Sequence, residues 1–128
     1  MKKFHSTYII DDDLIFVLLF KKIIEKSMKF DEIKNFTDAE LVIEELNDNY
    51  KNNKKMPDII FLDLNMPNID GWQFLESIKN CPFSEQLNIY VVSSTIDNSE
   101  ITRAKKYKNV KKFISKPIAL DFFESYEI

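Results

Sequence analysis

Three consecutive aspartates, Asp11, Asp12 and Asp13, follow a short apolar stretch near the start of the chain, and a fourth, Asp63, closes a second such stretch. Ser93 and Ser94 end a third, and Lys116, followed by Pro117, ends a fourth. Burying a carboxylate at the end of an apolar run is costly unless something pairs with it or uses it. Clustered carboxylates also repel one another, and apolar walls make the repulsion worse. A hard divalent cation removes that conflict, and Mg²⁺ suits a site of one or two carboxylates, a carbonyl and several waters. A carboxylate beside such an ion can act as a nucleophile toward phosphorus. Charge on the moving phosphoryl group then needs a cation, which Lys116 supplies, and a serine hydroxyl can donate to the product's oxygens.

Each residue also has a plainer reading. An Asp at a strand end commonly caps a helix or forms a turn, and Asp13 reads as the N-cap of the first helix, not as a ligand. Ser93 alone is a loop hydroxyl, and a lone Lys-Pro marks a strand exit. His5 is a strand residue with no Cys or His at metal-ligand spacing. Trp72, Phe74 and Leu75 are core-facing before they are binding anchors. Their shared placement at the ends of four strands is what sets these groups apart.

The elements that must position them alternate. Residues 7–10, 32–36, 58–64, 88–94 and 110–116 have strand character; residues 14–27, 37–50, 71–80, 98–108 and 119–128 have helical character. Thr37 is the expected cap of the second helix, and Pro82 stops the third. Five βα units imply a parallel sheet covered on both faces, because parallel neighbours need crossover connections. In such sheets sites form beyond the carboxyl ends of the strands, where the strand order reverses. Asp11, Asp12, Asp63, Ser93 and Lys116 all fall there.

Size and composition set bounds. The 128 residues are expected to form one domain, large enough for a full core. A net charge of −3 gives no case for a nucleic-acid partner. The lysine pairs Lys54–Lys55, Lys105–Lys106 and Lys111–Lys112 read as solvated faces. Cys81 has no second cysteine to pair with, which fits a reducing compartment. The longest apolar run covers residues 14–20, far short of a bilayer span. No signal peptide opens the chain, so the expected location is cytoplasmic, away from any membrane.

The sequence resembles the receiver domains of two-component response regulators over residues 7–123. The most specific match is DLNMPNIDG at 63–71, the family's D-x-x-M-P-x-x-D-G loop; the acidic pair, the hydroxyl and Lys-Pro follow in the family's order. The resemblance implies a flavodoxin-like, doubly wound α/β fold, with a five-stranded parallel sheet of order 2-1-3-4-5 and helices on both faces. It makes Asp63 the phosphoacceptor, and Asp11 and Asp12 the Mg²⁺-binding pair, with Asp63 and the backbone carbonyl of Asn65 completing the metal site. Lys116 contacts the phosphoryl group, Ser93 is the switch hydroxyl, with Ser94 and Thr95 as rivals, and Phe113 is the switch aromatic. Asn65 and Thr95 are expected to influence hydrolysis of the aspartyl phosphate. The implied partners are a histidine kinase or phosphotransfer protein and a downstream protein.

The chain departs from the family in carrying Asn109-Val110 where Gly-Ala is usual before the fifth strand, and its last helix is expected to be short. Two other readings compete with a phosphorylated switch. A haloacid-dehalogenase-like phosphatase requires D-x-D after the first strand and a cap domain, for which there is no room. A pseudo-receiver that binds partners without taking phosphate requires loss of an acidic ligand, the acceptor or the lysine, and all are present.

Overall fold

The computed structural model describes residues 3–94, 97–125 and 128. Five strands, β1 (Phe4–Ile10), β2 (Phe30–Phe36), β3 (Ile59–Asp63), β4 (Ile89–Ser93) and β5 (Val110–Ser115), form one sheet in the order β2-β1-β3-β4-β5. Every neighbouring pair is parallel. The helices are α1 (Leu14–Ser27), α2 (Ala39–Lys51), α3 (Gly71–Ile78), α4 (Asn98–Ala104) and α5 (Phe122–Ser125). This is the expected doubly wound arrangement, and the strand order reverses between β1 and β3.

Period-two alternation in the central strands divides the core into two layers. Tyr8, Ile10, Ile60, Leu62 and Val91 face Ala39, Val42 and Leu46 of α2 and Phe74, Leu75 and Ile78 of α3. Ile9, Phe61 and Val92 face Val17, Phe20 and Ile24 of α1 and the two phenylalanines of α5. Phe61 meets Phe20 edge-on at 4.8 Å between ring centroids. All of β3 is buried, so it reads as a continuous apolar run broken by Asp63 alone.

Element ends differ from the sequence reading where distant or competing polar groups decide them. β1 starts at Phe4, earlier than residue 7, because Phe4 and Ser6 already pair with Phe30 and Glu32 of β2, and the Asp58 carboxylate accepts from the N–H groups of His5 (2.7 Å) and Ser6 (3.0 Å). Asp38, not Thr37, caps α2: its side chain accepts the Glu40 N–H at 2.9 Å, and a carboxylate also complements the positive end of the helix. Asp13 caps α1 as expected, accepting from Ile15 and Phe16. α4 ends at Ala104, short of residue 108; the N–H groups of Lys106 and Tyr107 turn back to Arg103 and Ala104, freeing Tyr107 to donate its hydroxyl to Glu76 at 2.7 Å. Phe74 and Leu75 are fully buried, whereas Trp72 is half-buried under the Arg103 guanidinium, 4.3 Å from the ring. α3 stops at Ile78, before residue 80, and the helical part of residues 119–128 is Phe122–Ser125 among the described residues.

Candidate functional site: an acidic rim with one lysine

β3 delivers Asp63 to the rim with 6% of its surface exposed, and β1 runs straight into Asp11, at 1%. Asp12, one residue on, is exposed. One carboxylate oxygen from each of the three lies within 4.8 Å of the others. Asp11 is anchored at both oxygens: one accepts the Asp13 N–H at 2.9 Å, the other accepts from Lys116 Nζ at 2.8 Å. The same ammonium stands 4.0 Å from Asp63. It also lies 4.2 Å from the centre of the Phe16 ring, a cation–π contact that fixes the lysine over the first turn of α1.

The loop after Asp63 folds back on itself. Asn65 donates its N–H to Asp63 at 3.3 Å, and Gly71 donates its N–H to the Leu64 carbonyl at 3.0 Å. A Cβ at Gly71 would stand 2.6 Å from the Asp63 carbonyl oxygen and 2.7 Å from Leu64 Cα, so the chain's single glycine is required by close approach of two backbones. Asp70 then opens α3 with a capping box, accepting the Gln73 N–H at 2.8 Å while Gln73 Oε1 accepts the Asp70 N–H at 2.9 Å.

Burial pushes the Asp63 carboxyl up to about 6, and the Asp11 charge adds to the rise; Lys116 and the Asn65 N–H oppose it. A carboxylate so placed is short of positive charge. The donor set is hard oxygen with excess negative charge, which fits a divalent cation such as Mg²⁺.

Asp11, Asp12, Asp63 and Lys116 are therefore brought together. Ser93 ends β4 fully buried, beside Ser115 in the β4–β5 register, and its carbonyl accepts the Lys116 N–H at 3.0 Å. Ser94 is exposed, and Thr95 lies outside the described residues. Phe113 is not part of the cluster. It pairs with Val91, two residues before Ser93, and packs half-buried against the α2–α3 layer on the face that Ser93 shares. Asn109 adopts no left-handed turn: among the described residues, positive φ at non-glycine positions occurs at Met28, Asn53 and Asn68. It is instead buried, donating its amide to Ser84 at 3.2 Å. Phe16 is the site residue that the sequence reading missed, since nothing local to the first helix signals contact with residue 116. The Asp70–Gln73 box was missed as well, although an acidic residue three positions before a glutamine is a signal that could have found it.

Strand order and acidic rim together define a class of α/β switch. Residues 7–125 match the family model of the response regulator receiver domain, and the chain belongs to that family. Receiver domains are signalling switches rather than metabolic enzymes, and they work with histidine kinases or phosphotransfer proteins in two-component systems. A two-component response regulator from Cytophaga hutchinsonii is 29% identical, with 98% of this chain and 96% of that one covered and a TM-score of 0.87. The phosphorylated cyanobacterial phytochrome response regulator RcpA shares the fold at 24% identity, covering 95% and 88%, with a TM-score of 0.78. The Mn²⁺-bound response regulator Rcp1 does so at 21%, covering 94% and 88%, with a TM-score of 0.75. Among the described residues no helix is long and apolar enough to cross a membrane.

Proposed function

We propose that this receiver domain is a phosphoacceptor switch. An Asp63 carboxylate oxygen attacks the phosphorus of a phosphohistidine on a histidine kinase or phosphotransfer protein. The P–N bond breaks, and the leaving imidazole keeps its electron pair and takes a proton. Asp11, Asp12, Asp63 and the Asn65 carbonyl are the groups that would hold Mg²⁺, which when bound neutralises the carboxylates and the phosphoryl oxygens. Lys116 orients and stabilises the transferred group from its position between Asp11 and Asp63. Ser93 donates to the product, Phe113 turns in behind it, and the altered surface binds a partner protein or passes the phosphoryl group on.

The observation that carries this reading is the Lys116 ammonium, 2.8 Å from Asp11 and 4.0 Å from Asp63 within a three-carboxylate cluster. The phosphorylated state of RcpA and the Mn²⁺-bound form of Rcp1 support extending a phosphoryl group and a divalent ion to the same fold here. Unpaired Cys81 is in keeping with a cytoplasmic setting.

Incubation with acetyl phosphate and Mg²⁺ is expected to add one phosphoryl group, acid-stable and hydroxylamine-labile, by intact mass. Asp63→Asn keeps the shape, loses the anionic nucleophile and should stay unmodified. Equal labelling of both proteins would sink the assignment, and an unlabelled wild type would leave a binding module that takes no phosphate.

A further inference from the structure

The amino ends of β4 and β5, opposite the acidic rim, carry a hollow of about 400 Å³. Lys79 just beyond α3, Glu85 in the short 3₁₀ turn Ser84–Gln86, Lys106, Tyr107 and Lys108 between α4 and β5, and Lys111 near the start of β5 line it. Four lysines and one glutamate thus line it, with Glu76 adjoining, on a chain whose net charge is −3, so positive charge is concentrated here against the average. Among the described residues no ion pair engages Lys106, Lys108 or Lys111. Lys79 stands 3.7 Å from exposed Glu76, and Lys111 Nζ donates to the Lys108 carbonyl at 2.9 Å. The walls are fixed: buried Asn109 ties the start of β5 to Ser84, and Glu76 holds the Tyr107 hydroxyl.

The size is that of a small-molecule site and not of a flat contact, and lysines recognise phosphate as point charges. We propose that this hollow binds a small polyphosphate-bearing ligand of nucleotide size, separately from the acceptor at Asp63. The lysine ammoniums neutralise the phosphates, and the Tyr107 ring offers an apolar wall to the remainder.

The test is calorimetric titration of the intact chain, without divalent metal, using ATP, pyrophosphate and adenosine, with amide chemical shifts to locate binding. ATP and pyrophosphate are expected to saturate, adenosine not to bind, and shifts to concentrate at residues 79–80, 84–85 and 106–111. Lys106→Glu and Lys108→Glu, both at exposed positions, should each weaken binding about tenfold, while Asp63→Asn should bind as wild type. The proposal is overturned if adenosine binds as tightly as ATP or charge reversal changes nothing. Shifts that cluster at Asp11, Asp63 and Lys116 overturn it too, as does absence of saturation by about 5 mM.

Discussion

Asp63 is the residue on which the site's energetics turn. Its carboxyl is raised from 3.8 to about 6 in the folded chain, so between those values the folded state holds a proton that the unfolded state has released. Without metal, the Asp63 contribution to stability should be full below about pH 4 and be lost as pH rises to about 6, by about 3 kcal/mol, then level off. Urea midpoints across that range should show the decline, and Asp63→Asn should flatten it; an equal slope in the variant would move the effect to another group. Gly71 carries a second residue-scale expectation. Gly71→Ala forces a Cβ against the Asp63 carbonyl and Leu64 Cα, and should cost about 1–3 kcal/mol. It should also lower the rate of labelling by acetyl phosphate, because the displaced backbone carries the proposed acceptor. A variant as stable and as reactive as wild type would contradict the close approach.

At the scale of elements, β4 and β5 are the coupled pair. Ser93 sits opposite Ser115, and Phe113 opposite Val91 on the same face. In the switch proposed above, drawing the Ser93 hydroxyl toward new acceptor oxygens would give the Phe113 ring a place to turn, and burying a Phe gains about 1.5–3 kcal/mol, enough to bias a two-state surface. Ser93→Ala should therefore still take phosphate on Asp63 yet lose most of the change in hydrogen exchange over residues 97–113 produced by beryllofluoride. If it responds like wild type, the hydroxyl is Ser94 or Thr95, or the coupling runs elsewhere. Strand and helix order was legible in the sequence because apolar spacing is local. Element ends were less so. The start of β1 depends on pairing with β2 and on Asp58, both far away in sequence, and the α2 cap expected at Thr37 falls instead to the neighbouring Asp38 carboxylate. The acidic rim was legible because strand ends in a parallel sheet share one edge. The Phe16 ring beneath Lys116 was not, because a contact spanning a hundred positions leaves no periodic trace.

For the whole molecule, the two core layers fix five loops onto one edge, and that edge holds more negative charge than it can neutralise internally. A divalent ion that binds this folded cluster and not the unfolded chain must stabilise the fold. At tenfold excess over a roughly millimolar dissociation constant, Mg²⁺ should raise stability by about 1.4 kcal/mol and the melting temperature by about 3–5 °C. Asp12→Ala should abolish the gain. An unchanged wild-type melting temperature at saturating Mg²⁺ would count against the site.

All five strands run the same way, and their two ends differ: three aspartates gather where β1 and β3 finish, and four lysines line the hollow where β4 and β5 begin. Such a separation gives the molecule a long-range electrical axis through its sheet, beyond the reach of any single contact. A partner with a basic face would feel that axis before touching the surface, and would turn the acceptor edge toward itself during approach. Steering of this kind acts over distances comparable to the ionic screening length and weakens as salt is raised.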